Sequence, residues 1–375
     1  MSIALVTNYL PPYRLPLYEL LAERYQVEVL CFGGDAAYVP EAQRDLDRQI
    51  EQAAFPARRL KRQRDASALA ASHDAVIAAT AGRVALPAAF RGARRAGRPF
   101  ILWASLWRHP RTIAHAASFA FMRRVYRDAD AVLTYGPHVS RYVERHRDSD
   151  QGVFAAPQAV EPDVFGQTVT GIEIEELRAG LGVPTDGSPI VLFVGRLVPE
   201  KGVELLLRVW RRIAAGTDAT LCLVGDGPLA ERAATLRGVR LAGRLDRERL
   251  PIAYAAANVL VVPSLRTRHF LEPWGLVCNE AMHQGTPVIA SDAVGAAAGG
   301  LVRDEQTGLV VRAGDEQELA RAIADVVADP AFADGLGRNA RAAVSTFTYE
   351  AAADAFGRAL DHARARLRRQ TAPVT

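Results

Sequence analysis

Short apolar runs, separated by stretches long enough for a helix, recur along this chain, and the series starts twice. The first series is IALVT (3–7), VEVLC (27–31), AVIAA (75–79), PFILWASLW (99–107), AVLTY (131–135) and VFAAP (153–157). The second is PIVLFVG (189–195), ATLCLVG (219–225), VRLAG (239–243), NVLVVPS (258–264), PVIAS (287–291) and GLVV (308–311). Runs without polar alternation read as strands buried on both faces. The alanine- and arginine-rich segments between them, such as 15–25 and 113–127, carry helical spacing. Apolar strands alternating with helices predict a parallel sheet covered on both sides, here built twice. Residues 160–188, rich in Pro, Gly, Thr and Asp, read as the joint. The expected division is therefore a domain over 1–165, a linker over 166–188, a second domain over 189–348, and a C-terminal helix with a basic tail over 349–375.

Composition fits that division. The chain has 375 residues, 49% of them hydrophobic and 23% charged, enough for two packed cores. Its three cysteines, Cys31, Cys222 and Cys278, are far apart, which argues for a reducing compartment and against a structural zinc. The first apolar run stops after five residues at Thr7-Asn8 and reads as a first strand rather than a leader. No stretch approaches the roughly 20 apolar residues of a membrane span. The expected location is the cytoplasm.

Charge is uneven. Residues 1–165 hold 22 Lys+Arg against 17 Asp+Glu, and the remainder 24 against 25. Basic clusters fall at 58–64, 91–98 and 123–127. They read either as solvated helix faces or as an attraction for anionic lipid head groups or a phosphorylated acceptor, which would place the protein peripherally at the inner face of a membrane. Nucleic acid is not an expected partner, because no basic platform interleaved with aromatics occurs.

Ligands of doubly wound sheets bind where strands end, so the residues after the strands carry the chemistry. GRLVPEKG, Gly195 to Gly202, follows one strand and precedes an amphipathic segment. Gly195 permits a tight turn, Arg196 and Lys201 are two fixed cations, and the next helix offers free N–H groups at its positive end. That combination suits a diphosphate. EPWGLVCNE spaces Glu272 and Glu280 eight positions apart around a glycine. Carboxylates suit sugar and ribose hydroxyls because each accepts several hydrogen bonds. LVGDGP (223–228) and HQGTPVIAS (283–291) are a strand-end turn and a strand-start landmark. Two triplets, Asp128 with Asp130 and Asp148 with Asp150, have the form of a metal site. Asp130, however, parallels Asp74 and Asn258 as a polar residue entering a buried strand, so no metal is expected.

Taken in order, G-R-x3-E-K-G, G-x-G-P, P-S with E-x7-E, and G-x-P-V-I closely resemble the donor domain of the retaining glycosyltransferases of family 4, over roughly residues 189–345. The resemblance implies a GT-B fold, two tandem Rossmann-like doubly wound domains facing a cleft. It further implies that Arg196 and Lys201 hold the diphosphate, that Glu272 contacts the donor sugar and that Glu280 binds the ribose. Backbone amides near Trp274, Gly275 and Leu276 would add phosphate contacts, with the turn at Arg244 and Leu245 flanking the base. Trp274 stands where the family has phenylalanine, and RTRHFL (266–271) precedes Glu272, which leaves the donor sugar open.

The N-terminal half is less similar. Where many members carry a Gly-Gly loop this chain has NYLPPYR, which makes Tyr13 and Arg14 acceptor-side candidates. The family's histidine after the fourth strand falls in register near Ser105, and the nearest histidine is His109. The implied activity is that of a hexosyltransferase. It moves a sugar from a UDP- or GDP-sugar to a glycan, lipid-linked or small-molecule acceptor with retention, and needs no cofactor. Two other readings share these residues: a nucleotide-sugar 2-epimerase of the same fold, and a non-catalytic protein that binds sugar nucleotides.

Overall fold

The structure, a computed structural model, describes residues 1–33, 46–109, 113–184 and 186–371. The chain divides into two compact units. Met1–Gln158 together with Thr348–Thr375 form the first, and Ala159–Phe347 the second.

In the first unit the strands are β1 (Ser2–Thr7), β2 (Gln26–Cys31), β3 (Ala57–Arg59), β4 (Ala75–Ala79), β5 (Phe100–Ala104), β6 (Ala131–Thr134) and β7 (Val153–Ala155). They form an all-parallel sheet in the order β3-β2-β1-β4-β5-β6-β7. The second unit holds β8 (Ile190–Val194), β9 (Thr220–Val224), β10 (Val239–Gly243), β11 (Val259–Val262), β12 (Val288–Ser291) and β13 (Gly308–Val311), in the order β10-β9-β8-β11-β12-β13. Each order runs outward one way and then reverses, the doubly wound Rossmann-like topology with its switch point between β1 and β4 or between β8 and β11.

Three strand entries share one device. The Asp74 carboxylate accepts the Ser2 N–H at 3.0 Å, Asp130 accepts the Phe100 N–H at 2.9 Å, and the Asn258 side-chain oxygen accepts the Ile190 N–H at 2.8 Å. Each residue thereby satisfies the backbone donor that opens the neighbouring strand, which a sheet edge otherwise leaves to water. Asp130 is fully buried and also faces Arg94 at 3.5 Å, while Asp128 is paired with Arg124 and Arg127.

Several sequence expectations change. The run 99–107 is a strand only as far as Ala104. The short edge strand β3 was not foreseen, because Ala-Arg-Arg carries no apolar signal. It accounts for part of the basic cluster at 58–64: Arg58 pairs with Glu28 at 2.7 Å and Arg59 with Asp47 at 2.8 Å. Lys61, Arg62 and Arg64 remain exposed. The expected linker 166–188 is structured over its described residues. Thr170 and Glu173 cap the helix Gly171–Gly180 reciprocally, and the Arg178 guanidinium donates to the carbonyls of Pro184 and Ser188 at 2.6–2.9 Å. This segment packs inside the second unit, so the division falls at Gln158, not at 165.

The C-terminal helix, Tyr349–Thr371, is not an appendage. Ala352, Ala353, Ala355, Phe356, Ala359, Leu360 and Ala363 are buried in the core of the first unit, with Phe356 edge-on to Trp103 at 5.1 Å. Spacing of three and four residues puts these small side chains on one stripe. In the second unit the helix Val203–Ile213 buries Leu205, Leu206, Val209 and Trp210 and turns Arg208 and Arg212 outward to Glu316. Each such large apolar side chain stabilises the unit by about 1.5–3 kcal/mol. All three cysteines are buried and unpaired. Among the described residues no helix is long and apolar enough to cross a membrane.

Candidate functional site

The second unit gathers its polar groups at the switch point. β8 ends at Val194 and delivers Gly195, Arg196 and, through the turn Pro199–Lys201, Lys201. β11 ends at Val262 and delivers Pro263, Ser264 and then Glu272. The two strands are neighbours and parallel, so the two loops leave the same edge side by side.

Close approach of these loops requires glycine. Gly202 has φ +76°, and a Cβ there would sit 2.0 Å from the Pro263 carbonyl oxygen. A Cβ on Gly225 would sit 1.9 Å from the carbonyl oxygen of Gly195. The motif glycines therefore press the loops after β8, β9 and β11 together.

The consequence is a contact that spacing did not foretell. Lys201 Nζ donates to Glu272 Oε2, forming a close ion pair, and Ser264 Oγ donates to the same oxygen at 3.2 Å. Glu272 is only 8% exposed, and Lys201 lies 5.4 Å from the centre of the Phe270 ring. Ser291 Oγ, at the end of β12, donates to the Ser264 carbonyl at 2.6 Å and steadies that loop. Arg196 is exposed and lies 3.5 Å from Glu200. One cation is thus held by a carboxylate and the other stands toward solvent, with the amino end of the helix Val203–Ile213 following both.

Glu280 stands on the helix Val277–His283. Tyr254 Oη donates to its Oε2 at 2.5 Å. Burial pushes the Glu280 carboxyl up to about 7, against the pull of the Tyr254 hydrogen bond and the Arg247 charge. Arg247 is itself paired with Glu161 and sits over the Phe165 ring. Burial, then the charges of Glu272 and Glu280, push the Cys278 thiol up.

The folded pKa of Glu280 lies above the ordinary carboxylate range. Its contribution to stability is complete below that range and is lost as pH rises through about 7. The melting temperature is expected to fall between about pH 5 and pH 8, and Glu280→Gln should flatten that fall. Parallel scanning calorimetry of the two proteins across this range checks it, and identical profiles would remove Glu280 as the titrating group.

The Trp274 side chain faces inward. Its side chain is 3% exposed, its Nε1 donates to Asn279 Oδ1 at 2.7 Å, and its ring packs on Phe347. Indole fills a core position, which leaves only its backbone for a ligand. Gly275 has φ +93° and makes the turn into Leu276, the residue that caps the helix Val277–His283. Arg244 is exposed and Leu245 partly so in the turn after β10. Tyr254, Ser264, Arg247 and Glu161 were missed as site residues. Ser264 lay inside the P-S motif, whereas the other three carry no signal short of the fold.

In the first unit, Ser105 follows β5 and is partly exposed. His109 lies four residues further on, its ring tilted against Phe119 at 4.6 Å. It lines a cavity of about 300 Å³ with Thr80, Arg83, Leu106, Phe121 and Met122. Tyr13 and Arg14 follow β1 and are not part of that lining.

Residues 173–343 match the family described as Glycosyl transferases group 1. The match covers a little under half of the chain and makes this part similar to the group 1 glycosyltransferases. The 2-deoxystreptamine glucosyltransferase of Streptomyces kanamyceticus is 32% identical over 232 residues, 58% of this chain and 57% of that protein. The GDP-mannose-dependent alpha-(1-6)-phosphatidylinositol monomannoside mannosyltransferase of Mycolicibacterium smegmatis is 34% identical over 231 residues, 58% of each chain. The chain thus spans a little over half the length of these relatives. Among solved structures, Anabaena HepE in complex with UDP superposes with a TM-score of 0.78 at 20% identity, covering 96% of this chain and 99% of that one. That likeness shows a two-domain, Rossmann-like GT-B fold.

Proposed function

We propose that this chain is a retaining glycosyltransferase that takes a UDP- or GDP-sugar into the second unit and a hydroxyl acceptor into the first. The observation that carries the reading is the arrangement at the β8/β11 switch point, where Arg196 and Lys201 flank the amino end of a helix and Glu272 sits against Lys201. A diphosphate matches the cations and the helix end, and the sugar and ribose hydroxyls match the carboxylates Glu272 and Glu280.

The reaction breaks the bond from sugar C1 to the diphosphate oxygen, and the electron pair leaves with the diphosphate. The acceptor oxygen bonds to C1 on the same face, and its proton passes to the departing diphosphate. Charge grows on the leaving group, where fixed cations stabilise the transition state more than the ground state.

The relatives support the donor class through their names, one GDP-mannose-dependent, and HepE was solved with UDP. The same relatives act on a phosphatidylinositol mannoside and on 2-deoxystreptamine, so lipid-linked and small acceptors both fit. Incubating the protein with a UDP- and GDP-sugar panel and mixed acceptors is expected to give a glycosylated product. An altered sugar nucleotide without transfer would make the protein an epimerase instead.

Side chains and a helix end supply the charge on this reading, so transfer is expected to persist in EDTA. Loss of activity restored by manganese or magnesium would overturn that expectation.

A further inference from the structure

We infer that the first unit holds an acidic acceptor, the oxyanion of a phosphate or carboxylate group, against Arg14. This rests on the reading that the first unit receives the acceptor. Arg14 follows β1, one side of that unit's switch point, and Trp103 in β5 and Tyr135 after β6 lie toward the same carboxyl edge.

The guanidinium carbon sits 4.3 Å from the Trp103 ring centre, 5.4 Å from that of Tyr13 and 5.5 Å from that of Tyr135. Arg14 is 8% exposed, and its Nε has no hydrogen-bond partner. Trp103 Nε1, in the same cluster of rings, has none either, while the Tyr13 and Tyr18 hydroxyls lie within reach of the guanidinium. Guanidinium and indole nitrogens only donate. Two donor-only nitrogens, Arg14 Nε and Trp103 Nε1, are therefore buried together without acceptors, the phenols answer the guanidinium only with neutral oxygens, and among the described residues no carboxylate pairs with it.

Contacts with aromatic faces return less than it costs to take a guanidinium from water. The helix adds to the imbalance. Arg14 occupies the N-cap of Leu15–Arg24, the positive end, where a cation is disfavoured and an anion stabilised. Arginine ion pairs elsewhere in this unit, such as Arg58–Glu28 and Arg24–Asp354, are on the surface and matched. Among the described arginines of this unit Arg14 is the buried one, and no carboxylate answers its charge. What would match it is an oxyanion entering through the small exposed part of the residue at the strand ends, with ring-lined walls that suit an acceptor carrying that group on an apolar or sugar body.

The test uses the full chain with Arg196→Ala and Lys201→Ala, which removes the other candidate anion site. Inorganic phosphate and acetate are titrated calorimetrically at fixed ionic strength. One of them is expected to bind at a single site and so name the anion. Adding R14Q should weaken that binding at least tenfold, and R14K should weaken it less. Absence of binding by both probes in the chain that retains Arg14 overturns the inference, whether or not R14Q folds. Equal binding with and without R14Q in a folded protein also overturns it. UDP titrated into the wild-type chain reports on the donor reading separately. UDP binding without phosphate or acetate binding sinks only the acidic acceptor, and the reverse sinks only the donor site.

Discussion

Replacing Lys201 with alanine is expected to lower sugar transfer by about two to three decades, and replacing Arg196 to do so by a similar factor, on the scale seen when one preorganised charge donor is removed from a transition state. The two variants should differ in kind. Arg196 is exposed and only loosely near Glu200, so its loss leaves no orphan. Lys201 is the partner of a buried carboxylate. Without it Glu272 loses the cation that pairs with it, and a buried charge deprived of its counter-ion takes up a proton or pulls the loop toward water. Lys201→Ala should therefore also lower the melting temperature, and Lys201→Ala with Glu272→Gln should restore much of that stability without restoring transfer. Steady-state kcat/KM on all three variants, with calorimetric melting in parallel, separates the two effects. Near-wild-type turnover in both single variants would remove this loop from the chemistry.

The second large effect belongs to a residue with no side chain. Gly202→Ala places a methyl group 2.0 Å from the Pro263 carbonyl oxygen at φ +76°, where L residues are strained. Strained backbone costs about 1–3 kcal/mol and overpacking a further 1–3, so the substitution should destabilise the protein by about 3 kcal/mol or more. It should also push the β8 and β11 loops apart, parting Lys201 from Ser264 and Glu272. Urea unfolding followed by circular dichroism measures the first consequence, and transfer assayed well below the new melting temperature measures the second. A variant as stable and active as the wild type would mean that the two loops are not in contact in solution.

How much of this was legible beforehand follows from the range of each interaction. The buried strands read correctly because an apolar run in a parallel sheet is a local signal. β4, β10 and β13 match their runs to the residue. The edge strand β3 was invisible because its residues are arginines facing water and paired with acids elsewhere. The strand-entry residues Asp74, Asp130 and Asn258 were recognisable as a repeated pattern, though their hydrogen bonds to neighbouring strands were not. In the candidate site, residue types and order picked out loops that the fold brings side by side after β8 and β11. The pairing of Lys201 with Glu272 spans 71 residues and depends on two loops meeting over glycine, which spacing does not encode. Trp274 could be placed beside the site from sequence, but which way an indole points is decided by Asn279 and Phe347.

The last long helix bears on how the chain is made. Its buried stripe, Ala352 to Ala363, supplies one wall of the core whose sheet is complete some two hundred residues earlier, at β7. On a translating ribosome the first unit must wait, with Trp103 and its neighbours short of their partner Phe356. The second unit, Ala159–Phe347, is continuous and can close as soon as it emerges. The half synthesised first is thus the half finished last. A nonsense codon early in the final helix, before Phe356, would strip the first unit of packing while leaving the second unit's own segment intact.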